Sequence, residues 1–411
     1  MVSESANGLR SFGLLLVAAF MLLPIGLAGS SPSAATQSKT VHAAAPITIR
    51  GLDLHDGQII EQGGTYYFYG TMYAPDATAS NCTAPFVWRD PGSQWCGFGV
   101  STARSLAGPW SAPTVLVSNT TEDFAIDNTF EAACMGNDGA FALPDGEGCF
   151  EPRMYRQTWG DDQWTLWFNV PNDETDHAET GIFRMGCAGP AGPCSPQDWD
   201  IPVFHGGCAD EATGLQVVTR GNNAVLFCAT IYQTLAETQL KGSSIASASD
   251  LGGLTSVESP GVYYDRDLKA WVLTYSDPNC GYCAGTGTGF ATDGSPSLTG
   301  DDAWAVLANT GSSGTGQLDS STTSCGGQPG GVDMLGGRAY EQVDLWAGTS
   351  WGEAGSPTRL EPLGGRTLSQ AQVPCPSVRL SGKELRDAEG KGNAGGRQQS
   401  LRAADGSRGR A

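Results

Sequence analysis

The stretch HDGQIIEQGGTYYFYG, residues 55–70, decides the fold. Asp56 opens a short apolar strand, Glu-Gln-Gly-Gly makes a turn, and the aromatic run from Tyr66 to Tyr69 makes a second strand. A Gly-Gly pair between two such runs supplies the positive φ angles that a tight hairpin demands. The unit recurs four more times: EPRMYRQTWGDDQWTLWFNV (151–170), TGLQVVTRGNNAVLFCAT (213–230), ESPGVYYDRDLKAWVLTYS (258–276) and QPGGVDMLGGRAYEQVDLW (328–346). The later turns read GDD, GNN, DRDLK and GG. Residues 46–377 carry no sustained helical periodicity, and the 411-residue chain has 57 glycines. An all-β domain is expected. A hairpin repeated at irregular spacing predicts a β-propeller, and five copies predict a five-bladed β-propeller. A β-sandwich is the alternative, but it does not need the same hairpin five times.

The flanks read differently. Residues 12–28, FGLLLVAAFMLLPIGLA, are almost wholly apolar, follow Arg10, and precede small-residue sites near SPSAAT and VHAAAP. This is the layout of a secretory signal peptide. A membrane anchor is the alternative, which Pro24 and the cleavage-like sites disfavour. The expected division is signal peptide and short leader over 1–45, propeller over 46–377, and a disordered Gly/Arg/Ser-rich tail over 378–411. After signal cleavage no membrane partner is expected, and the protein is expected to be secreted. Twelve cysteines in an exported chain predict disulfides, with Cys187/Cys194 and Cys134/Cys149 spaced to staple single loops. The lone Cys280-Gly-Tyr-Cys283 lacks a second pair or a nearby histidine, so a zinc site is not expected.

The formal charge is −20, with only four histidines. Nucleic acid is therefore not an expected partner, since it needs basic surface. A neutral ligand such as a sugar is compatible with the charge. In a propeller the innermost strands line a channel, so their starts collect at one mouth. Those starts carry Asp56, Glu151, Asp210 (five residues before Leu215), Glu258 and Gln328. Each has a plain alternative: Asp56 as a turn residue before Gly57, Glu151 as an ion-pair partner of Arg153, Glu258 as a solvated edge residue, Gln328 as a loop amide. His55 is either a packed turn histidine or a partner for a sugar or a neighbouring carboxylate. Tyr66, Tyr67, Tyr69, Trp164, Trp167, Trp271 and Trp346 are expected mostly in the core between blades, while Trp88 and Trp95 are candidates to stack on a sugar.

These motifs resemble glycoside hydrolase family 43 over most of residues 50–363. The carrying residues are Asp56-Gly57-Gln58-Ile59-Ile60 followed by GGTYYFYG, the Glu258-Ser259-Pro260 segment, and Gly108-Pro109-Trp110 at a blade edge. Within the family the chain is most similar to the exo-β-1,3-galactanase group, through Glu151-Pro152-Arg153-Met154-Tyr155 with LWFN after it, and through Gln328. That group has glycine where Asp56 stands, and most family members have proline where Gly57 stands. The resemblance implies an inverting, exo-acting glycosidase on plant-type polysaccharide, β-1,3-galactan or arabinan/xylan side chains. Such an enzyme needs an acid for the leaving oxygen and a base for water, about 6.5–9.5 Å apart. It implies Glu258 as acid, Asp56 as base and Asp210 as the residue that tunes the acid. Glu151, Gln328 and His55 would bind sugar hydroxyls; alternatively Gln328, whose counterpart in that group replaces the aspartate base, serves the base role in place of Asp56 or positions the water. No cofactor is expected; room remains for a structural calcium ion. A non-catalytic carbohydrate-binding propeller, or an adhesive one without sugar, are the competing readings.

Overall fold

The computed structural model describes residues 45–73, 84–85, 94–117, 149–156, 164–170, 181–200, 208, 212–220, 223–230, 234–241, 244–255, 257–266, 268–276, 288–295, 297–298, 304–306, 327–345 and 355–363. The signal segment, the tail, Trp88, Cys134, Cys280, Cys283 and Trp346 lie outside them, as does Asp210. All described residues belong to one compact unit, Ala43–Ala411.

The regular structure of these residues is entirely β. Blade 1 holds β2 (His55–Gln62), β3 (Thr65–Tyr73), β4 (Ala84–Pro85), β5 (Gln94–Ala103) and β6 (Thr114–Val117). Blade 2 runs β7 (Phe150–Arg156), β8 (Trp164–Val170), β9 (Gly181–Cys187) and β10 (Cys194–Asp200). Blade 3 runs β11 (Ala212–Arg220), β12 (Asn223–Thr230), β13 (Thr234–Lys241) and β14 (Ser244–Thr255). Blade 4 runs β15 (Glu258–Asp265), β16 (Ala270–Ser276), β17 (Thr288–Asp293) and β18 (Ala305–Val306). Blade 5 runs β19 (Gln328–Leu335), β20 (Arg338–Asp344) and β21 (Thr358–Pro362), and its outer strand is β1 (Ile47–Ile49) from the start of the domain.

The five predicted hairpins are the inner two strands of the five blades. Hairpins 1 and 5 turn on Gly63-Gly64 (φ 60° and 72°) and Gly336-Gly337 (φ 58° and 75°), the left-handed angles that glycine adopts without penalty. In blade 4 Lys269 takes φ 55° just before β16. The inner strands neighbour one another in the order β2, β7, β11, β15, β19 and back to β2, so the sheets close into a ring. Closure is sealed by β1, whose Ile47, Thr48 and Ile49 pair with Leu360, Arg359 and Thr358. The sequence pattern did not single out this strand, since three residues carry no readable period.

The apolar core is a set of wedges between neighbouring blades. Successive residues of one strand point to opposite faces. Phe68 therefore packs toward blade 5 with Leu360 and Tyr340, while Tyr69 packs toward blade 2 with Phe168 and Met185. Trp167 faces Leu215 and Leu226 of blade 3, while its neighbours Leu166 and Phe168 face blade 1. Val225 and Phe227 meet Leu273 and Tyr275, and Val272 meets Val332 and Ala339. Both faces of each blade are covered, which is why the second strands read as continuous apolar runs. Tyr69, Trp164, Trp167 and Trp271 are buried as expected, with Tyr66 and Tyr67 partly so. Trp110 packs edge-on against Phe68 at 5.8 Å. Disulfides join Cys187 to Cys194 across the β9–β10 turn and Cys208 to Cys228; Cys96 and Cys149 are also disulfide-bonded.

The inner strands turn one edge to the channel, where side chains satisfy the backbone of the next blade. Gln58 Oε1 accepts from Met154 N–H (2.9 Å), and Tyr155 Oη accepts from Val217 N–H (2.8 Å). Gln216 Oε1 accepts from Val262 N–H (3.0 Å), while its Nε2 donates to the carbonyls of Val262 and Val332 (both 3.1 Å). Asp333 Oδ2 accepts from Ile59 N–H (2.9 Å). Arg153, 1% exposed, donates through Nη1 to Gly57 O (2.8 Å) and through Nη2 to Gly330 O, tying blade 2 to blades 1 and 5. A side chain at Gly331 would put its Cβ 3.1 Å from Arg153 Nη2, so glycine there makes room for the guanidinium.

Two stability predictions follow from this channel. Arg153→Ala should destabilise the fold by roughly 3–5 kcal/mol, the range for removing one partner of a buried polar network. Arg104→Ala, at an exposed site, should stay within about 0.5 kcal/mol; urea unfolding midpoints compare the two. Burial raises the carboxyls of Glu151 and Asp333 to about 7 each, against the opposing pull of Arg153. The native state then holds protons that the unfolded chain releases above its ordinary carboxyl range, near 4. Their stabilisation is present below that range and is lost as pH rises to about 7. The urea midpoint should therefore rise when pH is lowered from about 8 to about 5.5.

Candidate active site

Blades 1, 2 and 4 start their inner strands with the same irregularity. Pairing of β2 with β3 jumps from His55↔Thr71 to Gln58↔Tyr69, so two inner residues bulge out. Blade 2 jumps from Phe150 to Arg153, and blade 4 from Glu258 to Gly261. Blades 3 and 5 also shift, between Ala212 and Gly214 and between Pro329 and Gly331. Such bulges re-aim side chains at strand ends. The first bulged residue takes a left-handed backbone in three blades: Asp56 (φ 55°), Glu151 (φ 57°) and Ser259 (φ 52°). Non-glycine residues there carry strain of order 1–3 kcal/mol, held by their surroundings. Gly57 completes the first bulge; a Cβ on it would lie 1.8 Å from Tyr69 O, so only glycine fits.

This register refines the alignment of the expected site residues. Asp56 and Glu151 occupy matching places on blades 1 and 2. Glu258 stands one step earlier, matching His55 and Gln328, and Ser259 takes the bulged place on blade 4. Matching places on adjacent blades meet across the channel. Gln328 Nε2 donates to Glu258 Oε1 at 2.8 Å. Gln328 is paired in register with Asp344 of β20, and Asp344 Oδ2 accepts from Asp56 N–H at 2.7 Å. Tyr73 Oη donates to Asp56 Oδ2 at 3.1 Å. Glu258, Gln328, Asp344, Asp56 and Tyr73 thus form a continuous line from blade 4 through blade 5 to blade 1.

Glu151 closes the other side. Its Oε2 accepts from Leu215 N–H (2.9 Å) and stands 4.0 Å from Arg153 Nη2, so the ion-pair alternative holds at long range. Burial lifts its carboxyl to about 7; Arg153 and the Leu215 N–H pull down and Asp344 pushes up. A Cβ on Gly214 would touch Glu151 Oε1 at 3.4 Å and Ser259 N at 3.3 Å, so the start of β11 is wedged between blades 2 and 4. His55 is fully buried, with Nε2 3.4 Å from Asp53 Oδ1 and its ring 5.7 Å from that of Tyr73. It meets the neighbouring carboxylate of Asp53. Asp344 and Tyr73 are not among the residues expected from the sequence, because both sit at the ends of second strands and not at the starts of inner ones. A polar residue closing an apolar strand was the available signal.

No protein-family model and no curated protein matches the sequence. Solved structures do match in fold. One is an exo-β-1,3-galactanase from Phanerochaete chrysosporium with β-1,3-galactotriose, at TM-score 0.53 and 14% identity, covering 80% of this chain and 66% of that one. Another is an exo-β-1,3-galactanase from Clostridium thermocellum, at TM-score 0.52 and 15% identity, covering 78% and 63%. This chain thus spans slightly less than two thirds of the length of those two. A GH43 β-1,3-galactosidase with galactodeoxynojirimycin matches over 95% of its length and 77% of this chain, at TM-score 0.52 and 12% identity. At these identities the likeness is one of fold: the chain is a five-bladed β-propeller of the architecture that GH43 structures share.

Proposed function

We propose that this chain is a secreted, inverting glycoside hydrolase of the family 43 type, exo-acting on β-1,3-galactan or on arabinan/xylan side chains. The observation that carries the reading is the line of contacts joining Glu258 on blade 4 to Asp56 on blade 1 through Gln328 and Asp344 of blade 5. An inverting pair needs a water between its carboxyl groups, and one blade stands between these two. Glu258 protonates the glycosidic oxygen as the bond to the anomeric carbon breaks. Asp56 takes a proton from the water that attacks the opposite face, and the product leaves with inverted configuration. Tyr73 orients the Asp56 carboxylate. Glu151, protonated across part of the neutral range, can donate to a hydroxyl beside the reacting carbon. Gln328 fixes one oxygen of Glu258, which adds a positioning part to its expected sugar contact. Asp210, the residue expected to tune the acid, lies outside the described residues. Disulfides support export, because they persist in oxidising compartments.

The test is sugar release by the secreted protein from β-1,3-galactan, arabinan and arabinoxylan, with the first anomer followed by NMR. Glu258→Gln and Asp56→Asn should each lower kcat by about 10²- to 10⁴-fold, the usual contribution of a positioned acid or base. Asparagine tolerates the left-handed backbone at residue 56, so that variant changes chemistry more than conformation. Activity lost only in Glu258→Gln would remove Asp56 from the base role. Binding of a glycan without release would replace the enzyme reading with a carbohydrate-binding propeller.

A further inference from the structure

Asp56 is held in its strained conformation from two sides. Its own N–H donates to Asp344 Oδ2 (2.7 Å), and the carbonyl of the next residue, Gly57, accepts from Arg153 Nη1 (2.8 Å). Asp344 is itself fixed. It is 1% exposed, and its second oxygen, Oδ1, accepts from Thr358 Oγ1 at 2.7 Å. Thr358 lies directly opposite it on β21, and Gln328 lies opposite it on β19. Asp344 therefore stands at the centre of a three-strand rung of blade 5. One neighbour on that rung holds Glu258, and its own carboxylate holds the Asp56 bulge. His55 and Arg153 are the cationic or ionisable groups near it, with the carboxylates of Glu151 and Asp56.

We infer that Asp344 is a positioning residue: with Thr358 locking its rotamer, it pins the backbone of the Asp56 bulge and so sets where the base carboxylate stands relative to Glu258. This rests on the glycosidase reading above and deepens it. The role is played by a hydrogen bond to a backbone N–H, and an amide can replace it. An asparagine at 344 can turn its carbonyl to Asp56 N–H and its NH2 to Thr358, whose hydroxyl also accepts. Alanine supplies neither contact. A displaced base affects the chemical step and leaves most ground-state sugar contacts intact, so kcat should fall while KM holds.

The experiment is steady-state kinetics of Asp344→Ala, Asp344→Asn and Thr358→Val on whichever glycan the wild-type protein hydrolyses. Asp344→Ala should lose roughly 10- to 100-fold in kcat with KM within about 2-fold, as expected for misplacement near 1 Å. Asp344→Asn should recover to within about 3-fold of wild type, and Thr358→Val should lose a few-fold in kcat alone. If Asp344→Ala does not fold, the same comparison between Asp344→Asn and Thr358→Val decides. Wild-type kcat in Asp344→Ala, or in Thr358→Val where only that variant is readable, overturns the inference. An Asp344→Asn defect as deep as that of Asp344→Ala also overturns it, because the charge and not the hydrogen bond would then matter. An active wild type with unaffected variants removes only this role. A wild type that releases sugar from none of the three glycans removes the function, and this role with it.

Discussion

Among the described residues, every inner strand of this propeller has a sheet partner on one side and none on the other. The unpaired edge faces a channel lined by buried Arg153, Asp333 and Gln216, and buried N–H and C=O groups left alone are costly. The rest of the structure depends on how that constraint is met. Side chains meet it from the neighbouring blade: Gln58 for Met154, Tyr155 for Val217, Gln216 for Val262 and Val332, Asp333 for Ile59. Gln216 and Arg153 each serve two blades, Arg153 through Gly57 and Gly330. These bonds order the blades around the ring where apolar wedges supply area but little direction.

The same constraint builds the candidate site. At the mouth the regular ladder ends in bulges, and side chains that would continue the alternation are turned toward the opening. Asp56 and Glu151 sit on such bulges at matching places, while Glu258 and Gln328 lie one step earlier and meet directly. Groups from four blades are thus brought together by backbone irregularities that recur because the blades do. Burial beside the channel also raises the Glu151 carboxyl, so the constraint shapes acid–base behaviour as well as geometry.

Much of this was legible in the chain itself. The five hairpins could be read because their turns are punctuated by Gly-Gly, Gly-Asn-Asn or Asp-rich runs and their second strands are continuous apolar stretches. Glu258 and Gln328 were legible as polar residues at strand starts, and Asp56 as the residue before Gly57. The one-residue offset between Asp56 and Glu258 was not, because a bulge changes register without changing composition. Asp344, Tyr73 and the closing strand Ile47–Ile49 were missed for related reasons. Their partners lie 288, 17 and more than 300 residues away or across a turn, and no local pattern encodes such contacts.

The sequence by itself determined the class of the fold, the number of blades and the residues available at the strand starts, because these rest on turn chemistry and on short continuous apolar strands. Tertiary structure alone decided which of those residues meet, that His55 turns inward to Asp53, and that Asp344 bears on Asp56. The physical reason is that ring closure juxtaposes blades through long-range side-chain hydrogen bonds, and a bulge of one or two residues settles which side chain arrives at the mouth.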